Sequence, residues 1–349
     1  MSLDLEAIEG KYLSDLLHQP EALQATWNNL RNASVFDAIA SSCNTERFQR
    51  IVLTGMGSSY FGLHPLRMEL AEHGWTPLLL ETSELIHYFP HLLARSSLVV
   101  AVSQSGKSVE TVRMLELNAR KAAIIGVTNE ADSPLAKQAD FAVLTTAGEE
   151  FSVSCKTYIS ALLALRALAA ALCKLDSVHR LRDLEGAPAA AEGYLKNWKT
   201  HVEELCHLLY DARHLFLLGR GASLAAAETG ALIIKEADHF HAEGMSCAAF
   251  RHGPFEMLQP GIFVGVFAGE KRTRALNDGL VNDILSAGAQ AVSFADDAAR
   301  LACRLPEVPD LVRAIVEILP VQMITLALAA LANREPGKFE RATKLTVVE

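Results

Sequence analysis

The chain has few of the features that would assign it to a common functional class. Its six cysteines, Cys43, Cys155, Cys173, Cys206, Cys247 and Cys303, form no CxxC pair, so neither a zinc ribbon nor a thioredoxin-type redox motif is spelled out. Most of them sit in apolar stretches and are expected to be reduced core thiols. Basic blocks are missing too. Lysine and arginine number 32 against 41 acidic residues, a net charge of −9, which disfavours nucleic acid and anionic membrane surfaces as partners. The opening residues, Met-Ser-Leu-Asp-Leu-Glu, have neither the basic start nor the apolar core of a signal peptide. The richest late apolar run, Ala314 to Ala332, contains Glu317, Pro320 and Gln322, which suits a buried helix better than a membrane span. A cytoplasmic protein is expected. What the chain does have is length and apolar content. With 349 residues, 50% of them hydrophobic, it can fill two cores at about 150 residues per domain.

Two stretches share one layout. Arg50-Ile-Val-Leu-Thr-Gly55-Met-Gly57-Ser58-Ser59 reads as a strand entering a glycine-rich turn, and His214-Leu-Phe-Leu-Leu-Gly219-Arg-Gly221-Ala-Ser223 repeats it 164 residues later. Further strands are expected from Ser97 to Val102 and Ala123 to Val127. Their counterparts lie within Gly261–Phe267 and Ala291–Phe294. The distance from Gly55 to Ser103, 48 residues, equals that from Gly219 to Phe267. Strands alternating with helices at this rhythm predict an α/β fold of two tandem, mostly parallel, flavodoxin-like or Rossmann-like sheets flanked by helices. The expected division is N-terminal helices over 1–45, a first domain over 46–175 and a second over 192–349, with the boundary between Leu175 and Ala191.

Ligands of open parallel sheets bind at the carboxyl ends of the strands. Three loops there are rich in hydroxyls: Gly57-Ser-Ser59, Ser103-Gln-Ser-Gly-Lys-Ser108 and Ser152-Val-Ser154. Such serines either cap the next helix or, with its free N–H groups, hold an anion such as phosphate. A dinucleotide fingerprint is incomplete, because the third glycine after Gly55-Met-Gly57 is absent. A Walker loop is excluded, since position 101, where Gly106-Lys107-Ser108 would need a glycine, is Ala. In the second repeat the counterpart of the Ser103 loop, Phe267-Ala-Gly269, has no hydroxyls, and the repeat instead offers Glu236 and His252, a carboxylate and an imidazole suited to proton transfer. The bland readings are a solvated helix residue for Glu236 and a turn residue for His252. His239, His241 and Glu243 alternate in a way that would suit metal ligation on a strand, but no cysteine or further paired histidine joins them, and no metal or other cofactor is expected.

These residues resemble the SIS (sugar isomerase) domain family. The most similar members are the isomerase half of glucosamine-6-phosphate synthase and the standalone aminosugar-phosphate deaminases and fructosamine-6-phosphate deglycases. The likeness runs from about residue 50 to the end. It rests on Gly55–Ser59, Ser103–Gly106, Gly148–Thr157, Leu218–Gly221, Lys235-Glu236, His241–Glu243, Arg251–Pro254 and the tail from Ala342. The resemblance implies sugar-phosphate contacts at Ser59, Ser103, Gln104, Ser105 and Ser108, and a backbone contact at Val153. It implies a C1–C2 proton-transfer base at Glu236, an acid–base group at His252 reaching a partner subunit, and a Schiff-base lysine at Lys344. A homodimer with shared sites follows from the same likeness. This sequence departs from the family at Lys107 (an acid in the synthase), Ser108 (a threonine), Ile233 (a lysine) and Ala249 (an acid), and its Ser-Val-Ser-Cys-Lys motif is shortened. No glutamine-hydrolysing domain is recognisable ahead of residue 50 and position 2 is Ser rather than Cys, so glutamine-dependent amination is not expected.

The expected function is therefore proton transfer between adjacent carbons of an open-chain sugar phosphate or aminosugar phosphate, with amine release. The alternatives are aldose–ketose isomerisation and non-catalytic sugar-phosphate sensing.

Overall fold

Nine strands in two all-parallel sheets organise the residues that the computed structural model describes, 5–175 and 182–341. The first sheet has the order β2-β1-β3-β4-β5, from β1 (Arg50–Gly55), β2 (Pro77–Glu81), β3 (Ser97–Val102), β4 (Ala123–Thr128) and β5 (Phe141–Leu144). The second has the order β7-β6-β8-β9, from β6 (His214–Gly219), β7 (Ala242–Ser246), β8 (Ile262–Phe267) and β9 (Gln290–Phe294). This is the tandem α/β architecture expected from the repeat. Arg50 stands opposite Ser97 in one sheet and His214 opposite Ile262 in the other, so in each central pairing the two strands start level.

Burial explains which strands the sequence announces. Every residue of β3 and of β8 is buried, because helices cover both faces and leave no side for water. The edge strands β2 and β7 are mostly half-buried. One face of the first sheet packs Val52, Val99 and Ile124 against Leu85, Met114 and Leu135. The second sheet packs Phe216, Val264 and Val266 against Phe250, Leu280 and Ile284. Gly57 (φ +53°) and Gly221 (φ +59°) both take a positive φ at the first turn of each repeat, which explains why glycine recurs there.

The chain divides into two compact units that do not follow chain order. The leading unit comprises Glu21–Glu150 and Cys155–Gly186. The trailing unit comprises the residues up to Pro20, Phe151–Ser154 and Ala187–Glu340. The N-terminal stretch carries helices Lys11–Leu17, Gln19–Leu30 and Val35–Ser42, which are shared out between the units. Helix Lys11–Leu17 belongs to the trailing unit, where Tyr12 Oη lies 3.2 Å from Thr325 Oγ1. Just beyond it, the fully buried amides of Gln19 and Gln322 exchange reciprocal hydrogen bonds of 2.8 and 2.9 Å. Helix Val35–Ser42 packs instead on Lys156–Leu172 in the leading unit. Residues 176–181, within the expected boundary, lie outside the described residues.

Among the described residues, one stretch, Asp310–Leu331, is long and apolar enough to cross a membrane, and 94% of its apolar window is buried inside the protein. All six cysteines are free and five are buried. Burial pushes the thiols of Cys43, Cys206 and Cys247 up to about 11 and that of Cys303 to about 12, which keeps them protonated and unreactive.

Candidate functional site

In the first sheet the strand order reverses direction between β1 and β3, and the crevice at such a point is where open α/β sheets take ligands. The turn leaving β1 enters the short helix Ser58–Phe61, which carries Ser59, and the loop leaving β3 carries Ser103–Ser108. The strands are direct neighbours, Thr54 opposite Ala101, so the segments that carry the expected anchor residues leave the sheet side by side.

The second loop is held by its own hydroxyls. Ser103 N–H donates to Val127 O (3.1 Å), and Ser103 Oγ accepts from Gly106 N–H (3.1 Å). Ser105 Oγ accepts from Lys107 N–H (3.2 Å). A serine hydroxyl that accepts from the backbone keeps its own proton to donate, so this loop presents oriented, uncharged donors. Ser108 is the N-cap of helix Val109–Asn118: its Oγ accepts from Thr111 N–H at 3.4 Å and lies 2.8 Å from Thr111 Oγ1. Capping and anion binding are thus not exclusive here, because the cap sits beside the free N–H groups of the helix start.

Support for this loop comes from residues that motif reading did not single out. Thr128 Oγ1 and Asn129 N–H both donate to Gln104 O, at 3.1 and 3.0 Å, and pin the backbone while the Gln104 side chain stays half-buried. Asn129 also accepts from Ala147 N–H (2.7 Å) and Thr145 Oγ1 (3.0 Å), tying in the loop after β5. Gly106 has φ +59°, and a Cβ there would collide with the Ser133 side chain. The only sequence signal for this support was the Thr-Asn pair at the end of β4.

The predicted proton-transfer groups fall in the trailing unit. Glu236 lies half-buried in the last turn of helix Leu224–Asp238, which packs against β6 and β7. Two residues on, burial pushes the Asp238 carboxyl well above the usual carboxylate range, with Arg334 opposing. His252 follows helix Cys247–Arg251, which Ser246 Oγ caps by accepting from Ala249 N–H (3.0 Å). The preceding Phe250 is fully buried with its ring 5.1 Å from that of Phe216, and Gly253 (φ +140°) turns the chain away, so His252 is held on the exposed surface of the single chain.

Val153 is buried, also within the trailing unit, in the short stretch Phe151–Ser154 that leaves the leading unit and returns to it. Phe151 N–H donates to Asp15 Oδ2 at 2.6 Å. Of the suspected metal-type residues, His241 pairs with Glu243 (3.7 Å) and His239 with Glu340 (3.8 Å), both at the surface. Lys344 lies outside the described residues.

The SIS domain model matches twice, over residues 46–171 and 208–332, and each match spans one of the two sheets. The chain belongs to the SIS domain family. It is 30% identical over 350 residues to the glutamine–fructose-6-phosphate aminotransferase [isomerizing] of Pyrococcus horikoshii. That alignment covers 97% of this chain and 57% of the relative, so this SIS protein spans a little over half of that protein's length. Two solved structures share its fold. Tagatose-6-phosphate ketose/aldose isomerase from Escherichia coli has a TM-score of 0.79 at 19% identity and covers 95% of this chain and 96% of its own. Glucosamine-6-phosphate deaminase from Thermotoga maritima has a TM-score of 0.77 at 18% identity and covers 97% of this chain and 100% of its own.

Proposed function

We propose that this SIS protein is a cytoplasmic phosphosugar enzyme that releases an amine from an open-chain aminosugar phosphate, as a deaminase or a fructosamine-type deglycase. The observation that carries the reading is the loop Ser103–Ser108, whose hydroxyls accept from the backbone and keep their protons for an anion. The phosphate sits on Ser59, Ser103, Gln104, Ser105 and Ser108, and this anchorage orients the open sugar chain. Val153 contributes a backbone contact. The Glu236 carboxylate removes the proton from the amine-bearing carbon, and the electron pair passes to the adjacent carbonyl to give an enolamine. The proton returns to the former carbonyl carbon, which leaves an imine; water adds to it and the amine departs. His252, supplied by the partner subunit of a homodimer, opens the ring and protonates the leaving group. Lys344 serves a keto substrate through a Schiff base. Nothing in this route calls for a metal or a redox cofactor.

Aldose–ketose isomerisation is the second reading, supported by the word "isomerizing" in the Pyrococcus relative's name and by the fold shared with tagatose-6-phosphate isomerase. It uses the same base and returns the proton to the neighbouring carbon without amine loss. Sensing alone needs neither Glu236 nor His252. Amine release measured across phosphorylated aminosugars and fructosamines separates the three. Glu236→Gln is expected to cut turnover by about 10²–10⁴-fold while phosphosugar binding persists. Unchanged turnover in that variant would remove the base assignment, and ketose formation with no amine released would favour isomerisation.

A further inference from the structure

We propose that Arg334 is a positioning residue for Glu236, acting through a strap that locks the last turn of helix Leu224–Asp238; this rests on Glu236 being the base. The helix is gripped at mid-length. A Cβ on Gly230 would lie 2.7 Å from Leu217 Cδ1 of β6 and 2.9 Å from Val321 Cγ1 of helix Leu319–Leu331. Glu236 stands six residues beyond that grip, roughly 9 Å further along the axis. It lies in the turn whose carbonyls have no partner within the helix and which is the first to fray.

The strap supplies those partners. Helix Leu319–Leu331 ends in a left-handed turn at Asn333 (φ +49°), with Arg334 N–H donating to Ala329 O at 3.0 Å. That reversal directs Arg334 to the end of the neighbouring helix. Its Nη1 donates to Asp238 O (2.9 Å), and Nη2 lies 3.4 Å from His239 Nδ1. Three residues later Gly337 N–H donates to Ala237 O (3.0 Å). Two of the last carbonyls are therefore satisfied from outside the helix, and a guanidinium stands at its negative end.

The same strap reaches a second proposed substrate contact. Gly337 is buried, and a Cβ there would lie 3.0 Å from both Ser152 Oγ and the Tyr12 ring. Ser152 adjoins Val153. The strap thus fixes, within one unit, the turn that carries the base and the stretch that carries the backbone contact. The Asp238 carboxyl oxygens are buried and make no hydrogen bond, so the guanidinium is spent on the main chain rather than on a side-chain ion pair.

The test compares Arg334→Ala, Arg334→Lys and Glu236→Gln in the full chain. Turnover is read as amine released from the aminosugar phosphate that wild type consumes, and anchor occupancy as inorganic phosphate affinity. Arg334→Ala is expected to lower kcat ten- to a hundred-fold, the order of loss that a misplacement of about 1 Å produces, with KM and phosphate affinity within about twofold of wild type. Arg334→Lys, which retains a cationic donor, should recover most of kcat. Should the alanine variant fail to fold, Arg334→Gln is measured in the same way and should also lose kcat at constant KM. Unchanged kcat in a folded Ala or Gln variant, alongside an inactive Glu236→Gln, overturns the inference and leaves the function standing. A parallel fall of kcat and phosphate affinity also overturns it. If Glu236→Gln itself retains turnover, the base assignment fails and the strap has nothing to position.

Discussion

The two sheets have corresponding reversal points, and the chain uses them in opposite ways. In the first, the loop from β3 to its helix runs six residues, Ser103–Ser108, and its hydroxyls keep protons free to donate. In the second, the loop from β8 to helix Lys271–Ser286 is only Ala268-Gly-Glu270. Ser223, which stands 164 positions after Ser59 and occupies the same place in its repeat, is buried and donates to the Glu317 carboxylate at 2.8 Å. Arg220 Nε donates to Asn277 Oδ1 (2.9 Å), and Asn277 Nδ2 donates to the carbonyls of Phe267 and Ala268 (3.1 and 3.0 Å). A carboxylate built into the protein thus takes the hydrogen bond that, in the first repeat, is proposed to go to a phosphate. The duplicated fold keeps its four leading strands and its turn glycines, while one crevice is the proposed ligand site and the other is filled by the chain's own hydrogen bonds.

The largest effect that would sharpen this contrast is loss of the anchor. Replacing Ser103 and Ser105 together with Ala removes two hydrogen bonds to a charged group at about 1.5–3 kcal/mol each, so KM for the phosphorylated substrate should rise by two orders of magnitude or more. Steady-state kinetics with inorganic phosphate as competitor reads this directly. An unchanged KM would mean that the hydroxyls serve the loop and not a ligand. Gly106→Ala should act more mildly, by roughly 1–3 kcal/mol, because the left-handed backbone and the collision with Ser133 both distort the loop without removing a donor. Its signature is a raised KM together with a lowered Tm.

The second crevice should respond in the opposite manner. Ser223→Ala takes a hydrogen bond from a buried carboxylate, which costs on the order of 1–3 kcal/mol of stability in denaturant titrations. KM should stay near wild type in the folded fraction. A KM rise as large as that of the Ser103 and Ser105 variant would break the comparison, since it would make the second repeat a ligand site as well.

How far the sequence carried the structure follows from burial. The central strands β1, β3, β6 and β8 were legible because strands covered on both faces leave unbroken apolar runs. β2, β5 and β7 were not delimited, because an edge strand such as Ala-Glu-Gly-Met-Ser needs only one buried face and spells no pattern of its own. The anchor loop was legible as a cluster of serines in one short stretch. Its support at Thr128, Asn129 and Ser133 was not, since those residues are distant in sequence and ordinary in type. The same holds for the division of the chain. Nothing in Phe151–Ser154 signals that four residues would join the trailing unit, because the groups that meet it there, Asp15 at Phe151 N–H and Gly337 beside Ser152 Oγ, lie more than 130 positions away.

The smallest predicted effect contrasts two buried carboxyls. In the leading unit Glu150 accepts from Cys155 N–H (2.9 Å), Thr157 N–H (3.0 Å) and Thr157 Oγ1 (2.7 Å), so both of its oxygens take hydrogen bonds at the start of helix Lys156–Leu172. In the trailing unit both Asp238 oxygens lie buried without a hydrogen bond, and burial raises the carboxyl well above its usual range. The folded chain then holds a proton that the unfolded chain releases near the ordinary carboxylate value of 3.8. Stability from this group is therefore greatest at low pH and declines as pH rises from there toward the folded-state value, by no more than about 1.4 kcal/mol per pH unit. Asp238→Asn cannot titrate, so the stability of wild type minus variant should fall steadily as urea titrations are moved from pH 4.5 upward. Parallel profiles would mean that Asp238 is ionised within the fold, and that the nearby Arg334 cation neutralises it while still donating to the helix end.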